Sequence, residues 1–137
     1  MIVADVNTLA YFWFESPQTE AVKDLLLFDR EWAAPLLWRS EFRSILAGQM
    51  RVKNLSLTDA VEIWGDAESL IAPYEQIVPS TQVLSLVSES NCSAYDCEYV
   101  ALASLLGVKL VTHNKLVLKE FPYLACTAEQ YLKLTRK

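Results

Sequence analysis

Short apolar runs rich in β-branched and small residues alternate along this chain with longer stretches whose apolar positions recur every three or four residues. The first run, Ile2-Val3-Ala4-Asp5, reads as a strand buried on both faces that ends in an acid. Ser16-Pro17 then predicts a helix start, and Ala21, Leu25 and Phe28 carry an apolar stripe to about residue 29. Residues 32–37 supply a second strand, and residues 40–50 have helical spacing. Ser56 with Asp59 three positions on opens a helix through Ile71, which Pro73 stops.

The second half repeats the alternation. Gln76-Ile77-Val78 is a weak strand, and Pro79-Ser80 starts a helix to about Ser88. Ser93 with Asp96 caps a very apolar helix over residues 94–106, and Gly107 is its natural stop. Residues 108–112 form a clear strand. Thr127 with Gln130 predicts a capping box for a last short helix, followed by a basic tail over residues 133–137. Strands alternating with helices imply βαβ units, so the expected fold is three-layer α/β, a short parallel sheet flanked by helices, in a single domain over residues 1–137. Sheets of this kind place their sites at the carboxyl ends of the strands.

Composition narrows the function classes. The 137 residues are 53% hydrophobic and 21% charged, too apolar for disorder, and hold no apolar run long enough to span a bilayer. With no basic leader in Met1-Ile2-Val3-Ala4-Asp5-Val6-Asn7, the expectation is a cytoplasmic protein that does not engage a membrane. Cys92, Cys97 and Cys126 are an odd set without zinc-ligand spacing and read as buried, reduced packing residues. A net charge of −5 excludes nucleic-acid binding by a broad basic surface. Three scattered glycines make no phosphate loop, and the single His113 supports no histidine-based metal site.

The placement of the acids therefore becomes the question. Strand alternation puts Asp5 on one face with Val3 and Asn7, where a carboxylate needs a partner, either a hydrogen-bond donor from a nearby loop or a cation. Glu41 falls four residues from both Leu37 and Ile45, beside the stripe of Trp38, Phe42 and Leu46; it is either buried among them or reaches water from their margin. Asp96 aligns with Val100 and Ala103, facing inward, although a first-turn acid also suits a helix dipole without any chemistry. Glu98 lies far around the same helix and reads as a surface acid. Three inward acids repel one another, and a hard cation such as Mg²⁺ or Mn²⁺ resolves the repulsion with all-oxygen ligation.

The order of these residues resembles the PIN-domain nuclease family, including the VapC-type toxin ribonucleases. The opening Ile2-Val3-Ala4-Asp5-Val6-Asn7-Thr8-Leu9, the inward Glu41 after an apolar strand, and Tyr95-Asp96-Cys97-Glu98-Tyr99-Val100-Ala101-Leu102-Ala103 through Gly107 to Thr112 match its pattern over nearly the whole chain. The resemblance implies a metal-dependent endoribonuclease, the toxin of a toxin–antitoxin pair. Asp5, Glu41 and Asp96 would be its catalytic and metal-binding residues for Mg²⁺ or Mn²⁺, and Asn7, Thr8 and Thr112 would orient substrate. RNA, a cognate antitoxin and a second copy in a homodimer are the implied partners.

One position departs from that pattern. The family has a fourth acid two residues after the threonine, and here Asn114 stands there, expected as a weak or outer-sphere metal ligand. His113 is expected to face away from the site. A PIN-like domain that has lost catalysis and serves as a binding or regulatory module is the alternative that Asn114 supports. A phosphatase on an unrelated α/β sheet is disfavoured, because the first strand is followed by no DxD pair. Arg39, Arg43, Lys115 and Lys119 are basic groups in which RNA specificity would lie, although as surface charges they need no special explanation, and Tyr11-Phe12-Trp13-Phe14 is either core or a partner groove.

Overall fold

In a computed structural model describing residues 1–136, five short strands form one sheet: β1 (Ile2–Ala4), β2 (Trp32–Pro35), β3 (Glu75–Gln76), β4 (Leu110–Val111) and β5 (Ala125–Cys126). Their order is β3-β2-β1-β4-β5, and every neighbouring pair is parallel. Val3 pairs with Ala33 on one side and Leu110 on the other, so β1 is the central strand. Ile2, Val3, Trp32, Ala33, Leu110 and Val111 are almost completely buried, as strands covered on both faces must be.

Among the described residues, eight α-helices accompany the sheet: α1 (Val6–Tyr11), α2 (Thr19–Phe28), α3 (Trp38–Val52), α4 (Leu57–Ile71), α5 (Ser80–Ser88), α6 (Ala94–Leu106), α7 (Lys115–Glu120) and α8 (Ala128–Thr135). The expected three-layer α/β architecture with a parallel sheet is what forms. Its most apolar helix, α6, lies against β1, β2 and β4 and packs with α5, while α1 meets α2 and α3, α3 meets α4, and α2 meets α8. The caps follow the local sequence: Ser56 accepts from the Asp59 N–H and Ser93 from the Asp96 N–H. Thr127 and Gln130 close a reciprocal box. Gly107 ends α6 with φ of 67°, in the left-handed region that glycine enters without a Cβ clash.

Several expected boundaries move. The first strand ends at Ala4, and Asp5 caps a helix that the alternation of residues 2–9 does not announce. Helix α2 begins at Thr19 instead of directly after Pro17, because Ser16 and Thr19 exchange hydrogen bonds in a turn ahead of it. Its buried face is Val22, Leu25 and Leu26, with Phe28 exposed. A 3-10 turn over Ala72–Tyr74 follows Ile71, and the third strand, Glu75–Gln76, shares only Gln76 with the residues expected to form it. Helix α7 and strand β5 are additional elements. The three cysteines are buried and unpaired. Of the basic tail, Lys137 lies outside the described residues.

Candidate active site

The strand order creates a switch point: the chain leaves β1 toward β2 and β3 on one side, then returns to β4 and β5 on the other. A crevice forms where connections diverge at the carboxyl ends of such strands. Asp5 follows β1, and Thr112, His113 and Asn114 follow β4, so the central pair delivers them to this edge. Glu41 lies in the first turn of α3, which begins just after β2, and Asp96 lies in the first turn of α6, which leads toward β4. Four separated segments are thereby brought to one end of the sheet.

Each of the three predicted acids is met by a neutral donor. The Thr8 N–H donates to Asp5 Oδ1 at 2.8 Å, and the Thr112 hydroxyl donates a short hydrogen bond to Asp5 Oδ2. Thr112 Oγ1 accepts in turn from the Asn114 N–H at 3.1 Å. The Tyr99 hydroxyl donates to Glu41 Oε1 at 2.7 Å, and the Asn114 side-chain amide reaches Asp96 Oδ2 at 3.5 Å. Among the described residues, no ion pair involves Asp5, Glu41, Asp96 or Glu98.

Burial and like charge leave their mark on protonation. Desolvation pushes the Asp5 carboxyl above its ordinary range, against the opposing hydrogen bonds from Thr112 and Thr8. Glu41 is also pushed up, first by burial and then by the charges of Asp5, Asp96 and Glu98, while the Tyr99 bond pulls the other way. Glu98, read from sequence as a surface acid, is half-buried, raised by its own desolvation, and acts on both Glu41 and Tyr99. It therefore belongs to the charge environment of the site.

A hard cation fits the donor set in kind: carboxylate oxygens, with like charges that an added dication would relieve. In the arrangement described, however, no three His, Cys, Asp or Glu side chains among the described residues already converge as a metal-ligand group. As arranged, the carboxylates of Asp5, Glu41 and Asp96 each rest on a neutral donor.

The structure corrects the other site residues. Asn114 Oδ1 accepts from the Leu116 and Val117 N–H groups, at 3.0 and 3.2 Å, so it caps α7 and has both lone pairs engaged. Toward Asp96 it presents a donor; as arranged it is not a ligand. Thr8 and Thr112 are fully buried, out of reach of any substrate, and act on Asp5 instead. Asn7 is exposed on α1, off the strand face it was expected to share with Asp5. His113 packs edge-on to Tyr11, with Nδ1 3.5 Å from the Thr8 hydroxyl, and burial lowers its pKa even though the Asp5 charge opposes this.

Arg39 is not a free surface charge. Its guanidinium bonds Glu75 at 2.5 Å and Glu68 at 2.6 Å and lies over the stacked rings of Trp38 and Trp64. Arg43, Lys115 and Lys119 remain exposed. The aromatic run 11–14 is half-buried and packed against the core, with edges of Phe12 and Trp13 left in a groove shared with Tyr74. Sequence reasoning missed Tyr99 as a site residue, although its spacing of three from Asp96 puts both on one face of α6.

No protein-family model and no curated protein sequence matches the chain. Solved structures do match it in fold. PAE2754 from Pyrobaculum aerophilum superposes with a TM-score of 0.77 at 22% identity, covering 99% of this chain and 97% of that one. FitAcB from Neisseria gonorrhoeae gives 0.74 at 14% identity over 94% and 99% of the two chains. A toxin–antitoxin complex from Klebsiella pneumoniae gives 0.66 at 17% identity over 93% and 98%. At these identities the likeness is one of fold over nearly the whole length of each chain.

Proposed function

We propose that the chain is a PIN-like, Mg²⁺- or Mn²⁺-dependent endoribonuclease and the toxin of a toxin–antitoxin pair. The observation that carries this reading is that Asp5, Glu41 and Asp96 come from separate elements to the switch point, with no arginine or lysine among the described residues paired to any of them. A carboxylate group without a counter-cation is costly unless it serves a cationic ligand. Asp5, Glu41 and Asp96 would hold a divalent ion, which would supply Lewis-acid chemistry for water activation and for charge at a phosphodiester. Thr112 and the Thr8 N–H hold Asp5 in place, and Asn7, Lys115 and Arg43, which are exposed, would contact a phosphate backbone. The toxin assignment draws on the fold shared with a chain of the Klebsiella toxin–antitoxin complex. An antitoxin and a second copy of this chain are the proposed protein partners, in the cytoplasm. Among the described residues, no helix is long and apolar enough to cross a membrane.

A second reading has one observation in its favour: Asn114 offers the site a donor where a fourth acid would offer an oxygen. It makes the chain a catalytically weakened PIN-like domain that binds or regulates. Incubation of total RNA with the purified chain decides between them. Cleavage that requires Mn²⁺ or Mg²⁺, stops with EDTA and is lost in Glu41→Gln supports the nuclease. RNA left intact at every metal concentration, with the wild type still binding RNA, supports the binding module.

A further inference from the structure

Tyr99 occupies a position that packing alone does not explain. Its ring is 3% exposed within α6, and a phenol so buried must find a hydrogen-bond partner. The acceptor it finds is Glu41 Oε1, 58 residues away on α3. The bond is charge-assisted and joins two elements that each carry one acid of the candidate site. It also spends only one carboxylate oxygen: Glu41 Oε2 accepts no hydrogen bond within the described residues, and it is not sealed away from water. Glutamate has three side-chain torsions to settle, and a rigid, buried phenol on a neighbouring helix fixes where its carboxylate lies.

We infer that Tyr99 is a positioning residue for a divalent cation: it fixes Glu41 through Oε1 and leaves Oε2 as the oxygen offered to the ion. This rests on the metal-dependent reading above. Groups that hydrogen-bond a ligating carboxylate set its orientation and basicity, and removing one costs about 10- to 100-fold in metal affinity. Asp5 and Asp96 have their own donors in Thr112 and Asn114, so Tyr99 completes a set of one side-chain donor per acid.

The test is calorimetric titration of the full chain with Mn²⁺, for wild type, Tyr99→Phe, Glu41→Gln and the double variant. Tyr99→Phe keeps the core ring and deletes only the hydroxyl. The expected result is Mn²⁺ affinity about 10-fold weaker in Tyr99→Phe, with the double variant no weaker than Glu41→Gln alone, since the phenol acts through that carboxylate. Lower metal-free melting temperature with unchanged Mn²⁺ affinity would make Tyr99 a purely structural residue and overturn the inference. Tighter binding in Tyr99→Phe would overturn it too, by showing that the phenol competes with the ion. If the wild type binds no Mn²⁺, the parent reading itself falls.

Discussion

Two clusters of acids, one around Arg39 and the other around Glu41, meet α3 two residues apart and are treated in opposite ways. Around Arg39, the acids Glu68 and Glu75 have a guanidinium between them, Trp38 donates its indole N–H to Glu75, and two stacked indoles cover the arrangement. Around Glu41, the acids Asp5 and Asp96 have only neutral donors, and Glu98 is shifted by burial alone. The result is visible in protonation: the Arg39 hydrogen bonds hold Glu75 below its ordinary range, whereas burial and like charges hold Glu41 above it. The first cluster has a cation in direct contact with both acids and fastens α3 to α4 and β3. The second has no such counter-charge among the described residues, and that difference is what the proposed metal-dependent reading builds on.

The widest separation between the two clusters should come from substitution. Asp5→Asn, Glu41→Gln and Asp96→Asn each remove a charged oxygen, and each is expected to lower metal-dependent RNA cleavage roughly 100-fold or more. Their metal-free melting temperatures should hold or rise, because repulsion is relieved. A drop of several degrees in all three would make the acids structural. Arg39→Ala should do the reverse. It strands two partly buried glutamates and is expected to cost about 2 kcal/mol of stability, read by urea unfolding. A loss below about 0.5 kcal/mol would mean that the Arg39 cluster is ordinary surface pairing.

How much of this is legible in the sequence depends on the range of the interactions. Caps at Ser56, Ser93, Gly107 and Thr127 are local, so a few neighbouring residues suffice to read them. Helix α1 hides because Val6–Tyr11 is short and continues the apolar pattern of the strand before it. Strand β5 is two residues long and exists by pairing with β4. The three acids are legible as inward carboxylates, but their donors Thr112, Tyr99 and Asn114 are 107, 58 and 18 residues distant. Arg39 looks like surface charge for the same reason, since Glu68 and Glu75 lie 29 and 36 residues on.

The contrast also predicts opposite responses to pH in metal-free protein. Glu75 is lowered, so its contribution is present above its ordinary value of 4.5 and lost as pH falls through its lowered one. Asp5 and Glu41 are raised: folding favours their protonated forms, a contribution present below the ordinary 3.8 and 4.5 and lost as pH climbs through the raised values. With EDTA present, unfolding free energy should therefore fall at the acid end and decline again on the way to neutrality. Glu41→Gln should flatten the second decline, and Glu75→Gln the first. A second decline equally steep in wild type and Glu41→Gln would remove Glu41 from the account.

The smallest expected effect is the most specific, because Asn114→Asp changes one group at the border of the site. The new carboxylate keeps an oxygen for the Leu116 and Val117 N–H groups, and Asp and Asn cap helices about equally well. Two further changes oppose each other. The added charge at the start of α7 gains about 0.3–1 kcal/mol from the helix dipole, while the amide donor toward Asp96 Oδ2 becomes a like-charged oxygen. That donor bond is long, at 3.5 Å, so little attraction is lost, and repulsion offsets the dipole gain. Metal-free stability should therefore move by less than about 0.5 kcal/mol. In saturating Mn²⁺ nothing offsets the gain, since the second oxygen now faces a cation. A tenfold tighter site adds about 1.4 kcal/mol of Mn²⁺-linked stability, seen as a larger Mn²⁺-induced rise in melting temperature for Asn114→Asp than for wild type. Equal rises would mean that residue 114 does not face the cation, and its contact with Asp96 would be reduced to a cap with a neighbour.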